Sequence, residues 1–165
     1  MGVGEPIREA FLIHKSGCLL AYRVPDPTKT ADYDLVVGML TALQSFVHEA
    51  FGAGMQSLRC LEFEDKNVLI EVREGFYIAV VLNGKPTSAL KKRLSELMDA
   101  IDAKYGMVAK DWSGDIGDWV RAGRMMGTLF EEDRYRRQDG LCPLCGTVPI
   151  SAGASCEICG YREEG

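Results

Sequence analysis

Two pairs of cysteines near the end of the chain restrict its fold more than any other feature. The pairs are Cys142-x2-Cys145 and Cys156-x2-Cys159, and ten residues separate them. Two such turns can bring four thiolates to one point, which forms the closed tetrahedral shell that structural Zn²⁺ prefers. The spacing therefore predicts a four-cysteine zinc ribbon over residues 138–165, with a structural Zn²⁺ and no open position for water.

Other interpretations of the four cysteines are weaker. The same shell also suits iron, and rubredoxin has similar knuckles, but the chain lacks the Glu-x-x-His pairs of a di-iron bundle. Two unrelated cysteine pairs or two redox dithiols are the remaining alternatives.

The other two cysteines, Cys18 and Cys60, stand alone in apolar segments. We expect them to be buried side chains and not nucleophiles.

The pattern of the remaining 137 residues predicts a hairpin and then a helix. Two apolar, β-rich runs over residues 7–13 and 18–24 flank a Ser-Gly turn. The apolar residues then recur with a period of about 3.6 residues, which predicts a helix that begins near Thr30 or Asp32 and ends at Gly52. Its apolar stripe is expected to lie flat on a sheet. That stripe consists of Leu35, Met39, Leu43, Phe46, Val47 and Ala50, and Val36, Leu40 and Phe51 widen it.

Three further strands and two helices are predicted after this helix. The strands cover residues 57–63, 68–73 and 76–82, and short turns between them favour antiparallel pairing. A second amphipathic helix begins at Thr87 or Ser88 and is expected to end at Gly106. Its buried side is predicted to contain Leu90, Leu94, Leu97, Met98, Ile101 and Tyr105.

A third helix, predicted from Asp115 to about Arg137, completes the first domain. We expect it to dock on its own domain, and a partner-binding helix is the alternative. The order β-β-α-β-β-β-α-α predicts an α+β domain over residues 1–137, with a five-stranded antiparallel sheet covered by helices. The zinc ribbon of residues 138–165 would form a second, smaller domain.

No catalytic constellation is recognisable in the sequence. His14 is predicted in a turn and His48 on a helix, both as polar surface residues, and no Cys-His or Ser-His-Asp pattern accompanies them. The carboxylate pairs are expected to be solvated charges. These pairs are Asp32 with Asp34 and Glu62 with Glu64. The sequence therefore predicts a protein that is not an enzyme and has neither catalytic nor cofactor-binding residues.

Charge argues against nucleic acid as the main partner. The chain has a net charge of −5, and residues 131–165 contain four arginines and seven acidic residues, a net charge of −3. Only Arg134, Arg136 and Arg137 form a local basic spot, whereas phosphate binding needs clustered cations. We expect a protein partner of unknown identity. A nucleic-acid- or ribosome-associated factor is the alternative function.

The order of strands and helices resembles the longin and roadblock group of profilin-like domains, across about residues 5–130. Three segments, residues 38–47, 76–81 and 112–115, also resemble a small module of prokaryotic signalling and membrane-associated proteins. The longin and roadblock resemblance implies a non-catalytic adaptor or regulatory protein that binds a small GTPase or a signalling partner and can form a homodimer. The first hairpin departs from roadblock domains, which usually place a helix before it.

The sequence also predicts a cytoplasmic protein without direct membrane insertion. Residues 1–10 contain Glu5, Pro6 and Glu9 where a secretory signal needs an apolar stretch. The longest strongly apolar window covers only residues 35–43, which is too short to cross a bilayer.

Overall fold

The computed structural model describes residues 7–23, 32–52 and 57–129 of the 165-residue chain. Two 3-10 turns flank the last helix, at Ile116–Trp119 and Gly127–Leu129. The other elements are β1 (Ile7–His14), β2 (Leu19–Arg23), α1 (Tyr33–Phe51), β3 (Cys60–Glu62), β4 (Asn67–Val72), β5 (Phe76–Leu82), α2 (Ser88–Lys110) and α3 (Val120–Met126). The predicted order of strands and helices is therefore confirmed over the described residues.

The five strands form one antiparallel sheet in the order β2-β1-β5-β4-β3. β5 lies in the middle, and all seven of its residues are buried, as its unbroken apolar run predicts. β1 pairs with β5 from Ile7 opposite Leu82 to His14 opposite Phe76. The sheet and its helices confirm the α+β class, and the element order agrees with a longin-like fold.

Each face of the sheet carries its own apolar cluster. α2, α3 and the turn before α3 cover one face, where Leu12 and Trp119 are fully buried. α1 packs on the other face, where Phe11, Leu40 and Ile70 are fully buried. Neighbouring strand residues such as Phe11 and Leu12 enter different clusters because successive side chains of a strand point to opposite faces.

Side-chain caps begin both long helices where the sequence predicts them. The Asp32 carboxylate accepts a hydrogen bond from the Leu35 N–H at 3.2 Å, and the Thr87 hydroxyl accepts one from the Leu90 N–H at 3.2 Å. All six predicted residues on the inner side of α2 are buried. The predicted end of α2 at Gly106 is wrong, because the helix continues to Lys110.

The third helix is shorter than predicted within the described residues, and it docks on its own domain. α3 covers only Val120–Met126, between the two 3-10 turns, and residues 130–137 lie outside the described part of the chain. A Cβ built at Gly123 would lie 3.2 Å from the Cβ of Ala21, so α3 approaches β2 closely. Arg23 Nε donates to the Gly123 carbonyl at 2.9 Å and links the same two elements.

Candidate functional site

The outer side of α1 is apolar and exposed to solvent. Leu35 is 70%, Met39 40% and Phe46 65% exposed, whereas Val37 and Leu40 on the inner side are at most 5% exposed. Small exposed residues lie between the three large ones on this side. We define the α1 outer face as Leu35, Gly38, Met39, Ala42, Ser45 and Phe46.

This orientation of α1 overturns a prediction from the sequence. Leu35, Met39 and Phe46 belong to the stripe expected to pack on the sheet, but they point away from it. No charged residue occurs between Asp34 and His48, so α1 is largely apolar on both of its sides. A helix that is apolar all round is normally buried all round. α1 therefore has the composition of a helix that is buried on all sides, although its outer side is exposed to solvent.

Contacts on the inner side of α1 fix its rotation. Leu40 lies in the same apolar cluster as Phe11 and Ile13 of β1. Beside it, the Thr41 hydroxyl and the Tyr77 hydroxyl are 3.0 Å apart and share a hydrogen bond. Burial raises the pKa of Tyr77, although the bond to Thr41 opposes this shift. The phenol therefore stays protonated at neutral pH and acts as a structural contact.

Gly38 has no packing role within the described part of the chain. It lies in the middle of α1, and a Cβ built on it would have no heavy atom within 4 Å. Glycine inside a helix costs about 0.5–1 kcal/mol relative to alanine. The α1 outer face therefore has an open recess at Gly38. The glycine there lowers the stability of the helix and does not serve the packing of α1 on its own sheet.

The β3 edge of the sheet is tied to α1. The side-chain amide of Gln44 donates to the Leu58 carbonyl at 3.1 Å and accepts from the Leu58 N–H at 3.2 Å. β3 follows directly, pairs with β4 and lies at the end of the sheet order. Cys60 and Glu62 of β3 are exposed, and so is Phe63 after it. An open strand edge is a template for pairing with another chain.

Three aromatic residues hold the first turn of α1 on the hairpin. The ring centroids of Tyr22 and Tyr33 are 4.2 Å apart, and Phe11 lies 5.4 Å from Tyr22. The Tyr22 hydroxyl donates to the Tyr33 hydroxyl. Burial, and then the Tyr33 hydrogen bond, raise the pKa of Tyr22 far above its usual value. Tyr22 is therefore a neutral phenol that positions the helix and is not an acid or base at neutral pH.

The opposite face of the sheet is filled by the chain itself. The ring of Trp119 stacks on Tyr105 at 5.2 Å and meets the edge of Phe76 at 5.5 Å. Arg93 Nη2 donates to the Leu129 carbonyl at 3.0 Å, which ties the end of the described segment to α2. The sheet face on this side is therefore covered, and the exposed large side chains of this side, Met107 and Ile116, belong to the covering elements.

His14 is a buried structural residue, and its predicted surface position is wrong. The ring is 7% exposed and lies 4.9 Å from the Trp112 ring. Its Nε2 donates to the Ala109 carbonyl at 2.9 Å, and its Nδ1 accepts from the Ser16 N–H at 3.1 Å. Both ring nitrogens are therefore used to join the β1–β2 turn to α2. His48 is exposed, as predicted.

The two isolated cysteines are exposed, which overturns the prediction that they are buried. Cys18 follows the β1–β2 turn, and Cys60 begins the edge strand β3. The four carboxylates considered as acid–base candidates are exposed, in agreement with their interpretation as solvated charges. They are Asp32, Asp34, Glu62 and Glu64.

The predicted metal ligands are not among the residues that the structure describes. Cys142, Cys145, Cys156 and Cys159 lie in the segment after Leu129, and so does the basic spot at residues 134–137. Within residues 7–23, 32–52 and 57–129, no group of three or more His, Cys, Asp or Glu residues is arranged to hold a metal ion. Over the same ranges, no helix has the length and apolar character needed to cross a membrane.

The chain is similar to proteins of known structure. No protein-family model matches the sequence, and no curated protein matches it. Among solved structures, the chain is similar to the gliding protein MglB from Thermus thermophilus, with 24% sequence identity and a TM-score of 0.37. The match covers 48% of this chain and 63% of MglB, so the chain spans less than two thirds of the length of that protein.

Proposed function

We propose that the chain is a non-catalytic regulatory or adaptor protein that works by binding other proteins. The α1 outer face is the observation that carries this proposal. Large apolar residues are exposed there along one side of α1, beside β3, which lies at the end of the sheet over the described residues. Exposed apolar surfaces and open edges are the two features that soluble domains usually avoid unless a partner covers them.

The size of the surface agrees with a protein partner. From their exposed fractions, Leu35, Met39 and Phe46 present roughly 300 Å² of side-chain surface. Burial of this area contributes on the order of 7 kcal/mol at about 25 cal/mol per Å². Association itself costs about 4–15 kcal/mol. The surface therefore supports reversible binding when the neighbouring β3 edge adds to the contact.

The resemblance to longin and roadblock domains suggests the class of partner. Such domains bind small GTPases or signalling proteins, and we extend that role to this chain as part of the proposal. The sequence has no G-x4-G-K-[ST] phosphate-binding loop, so a nucleotide would belong to the partner and not to this chain.

The four-cysteine segment is proposed to be a separate structural zinc ribbon over residues 138–165. Cys142, Cys145, Cys156 and Cys159 supply the thiolate set that favours Zn²⁺. The ion would stabilise the fold of a segment too small to form a sufficient apolar core. Binding of nucleic acid through the arginines before it is the alternative function, and the net negative charge of the segment argues against it.

Site-specific photo-crosslinking in the native cell tests the proposed function. A photoreactive phenylalanine analogue at Phe46 should form discrete protein adducts that persist after nuclease treatment. The same analogue at Met107, an exposed residue of α2, is the matched control and should form few. A small GTPase partner would appear as an adducted protein that contains a phosphate-binding loop. Equal adducts at both positions, or adducts lost with nuclease, would reject the proposal.

A further inference from the structure

We infer that the chain binds a phosphate group between α2 and α3, through the side chains of Lys104, Tyr105, Arg121 and Arg124. We call these four residues the α2–α3 patch. The patch lies on the sheet face opposite the α1 outer face, so the inference goes beyond the proposed protein-binding function and does not depend on it. It rests on buried hydrogen-bond donors that lack acceptors and on positive charge gathered in the same place.

Contacts at both ends of α3 show that it runs antiparallel to α2. At one end, the Trp119 ring, just before α3, stacks on Tyr105 with the ring centroids 5.2 Å apart. At the other end, Arg93 Nη2 donates to the Leu129 carbonyl at 3.0 Å. Lys104 follows Arg93 by about three helical turns, so both side chains lie on the flank of α2 that faces α3. The first turn of α3 therefore lies beside Lys104 and Tyr105.

Helix α3 brings two arginines to this place. Arg121 is exposed and Arg124 is half-buried, and α3 contains no acidic residue. Burial raises the pKa of Tyr105, and the positive charges of Arg121 and Arg124 oppose that rise, so both guanidinium groups act on the phenol. Over the described residues, neither Arg121 nor Lys104 forms an ion pair.

The neighbouring carboxylates lie elsewhere. Asp99 accepts a hydrogen bond from Arg73 Nη2 at 2.7 Å, which places this flank of α2 beside the end of β4. Asp102 follows less than one turn later on the same flank, away from α3. Asp118, just before Trp119, is exposed, and within the described part of the chain it forms no ion pair with Arg121. The positive charge of the patch is therefore not neutralised by these carboxylates.

Two buried polar hydrogens at the patch have no acceptor within the described residues. Trp119 is fully buried, and its indole N–H has no hydrogen-bond partner. Tyr105 is 9% exposed, and its hydroxyl also has no partner among the residues that the structure describes. Buried donors of this kind are rare because each one lowers stability. Both belong to one stacked pair of rings beside α3, so the same place lacks an acceptor twice.

Donors and positive charges without an acceptor form a site for an anion. Arginine presents a planar fork of N–H groups that fits two oxygens of a phosphate, and lysine adds a point charge. A phosphate group has about two negative charges and three acceptor oxygens, enough for the cations and the phenol of the patch together. Both a small phosphomonoester and a phosphorylated protein side chain supply this group.

Heteronuclear NMR of the full-length chain, titrated with inorganic phosphate at constant ionic strength, tests the inference. The indole N–H signal of Trp119 should shift and saturate, with a dissociation constant of about 1 mM or lower. The indole N–H of Trp112 is the internal control, because it donates to the Asp115 carbonyl at 2.9 Å, and its signal should not move. No saturable shift of Trp119 by ~20 mM phosphate would overturn the inference.

Substitutions separate a phosphate site from general screening of charge. Arg121→Gln removes a charged donor and should weaken phosphate binding at least ~fivefold. Lys91→Gln, at an exposed lysine near the start of α2, is the matched control and should change the affinity less than ~twofold. Tyr105→Phe removes only a hydroxyl that has no partner in the described structure, so the variant should fold normally and bind phosphate more weakly. Equal affinities in Arg121→Gln and Lys91→Gln would overturn the inference.

Further arms identify the occupant. Phenyl phosphate that binds more tightly than inorganic phosphate would support an esterified phosphate as the ligand, and the reverse order would support the free ion. Residues 131–133 are Glu-Glu-Asp, and phosphate that binds only after these three are neutralised would show an internal occupant and overturn the inference. Crosslinking from Phe46 is independent of all these outcomes, so the proposed function stands or fails separately.

Discussion

Replacement of Gly75 by alanine should destabilise the chain at the corner where the β4–β5 turn meets α2. A Cβ built at Gly75 lies 2.6 Å from the Cβ of Ala109 and 3.5 Å from its carbonyl carbon. Hydrogen bonds hold both backbones in place, since the Lys15 N–H donates to the Gly75 carbonyl and His14 donates to the Ala109 carbonyl, each at 2.9 Å. The two segments therefore cannot separate without loss of other contacts.

The magnitude follows from the shift that the new methyl group requires. The contact must lengthen by about 1 Å to reach the ~3.5–4.0 Å that carbon atoms prefer. Overpacking of a filled site costs about 1–3 kcal/mol, so we expect Gly75→Ala to lower the free energy of unfolding by about 2 kcal/mol. Ala109→Gly removes the opposing methyl group and costs about 1 kcal/mol through helix propensity. The double variant should be more stable than the sum of the two effects predicts, by at least about 1 kcal/mol.

Urea unfolding of the full-length chain, followed by tryptophan fluorescence, measures these values. Gly84→Ala is the matched control, because a Cβ at Gly84 would meet no atom within 4 Å. We expect its free energy of unfolding to stay within about 0.5 kcal/mol of the wild type. An equally small effect of Gly75→Ala, or strict additivity in the double variant, would refute the close contact between the turn and α2.

Further changes test other parts of the structure. His14→Leu leaves a buried carbonyl of α2 without its donor and should cost about 1–3 kcal/mol in urea unfolding, whereas His48→Leu should cost less than about 0.5 kcal/mol; equal costs would contradict the buried position of His14. Burial raises the pKa of Tyr77 in the folded state, so its contribution to stability is complete below about pH 10 and is lost as the pH rises above it. Tyr77→Phe should therefore reduce the fall in the free energy of unfolding as the pH rises above about 10. An unchanged dependence of the free energy of unfolding on pH would argue against burial of Tyr77 as the cause. Native mass spectrometry should find one Zn²⁺ per chain and loss of metal in Cys142→Ser, and a folded, metal-free tail would refute the zinc ribbon. Removal of residues 138–165 should leave cooperative unfolding intact, and its loss would refute the division into two domains.

Helix α2 shows what the sequence predicts well, and α1 shows where the same reasoning fails. α2 is apolar on one side and charged on the other, so its stripe identifies the buried side without further information. α1 is apolar on both sides, and its pattern does not distinguish the side that meets the sheet. The small inner residue Val37 is buried while the larger Phe46 is exposed. Only the position of the sheet, tied to α1 through Gln44 and Tyr77, decides the rotation.

Contacts between residues far apart in the chain explain why the sequence predicts single residues wrongly. His14 is the last residue of β1 and precedes a turn, where surface positions are common, but its partner Ala109 is 95 residues away. The sequence contains no local signal for that contact. Cys18 and Cys60 have apolar neighbours, but Cys18 directly after the β1–β2 turn and Cys60 on the edge strand β3 are exposed. The extension of α2 beyond Gly106 to Lys110 has a similar origin, because Ala109 in its last turn packs on Gly75.

Methionine oxidation measured by mass spectrometry tests the central claim most directly, because the chain contains its own control. Met39 lies on the α1 outer face and Met107 on α2, and both are exposed in the single chain. If the α1 outer face is a protein-binding surface, oxidation of Met39 should slow when a partner protein is bound, while Met107 reacts at a constant rate. Equal rates for Met39 in the bound and unbound chain would contradict the account.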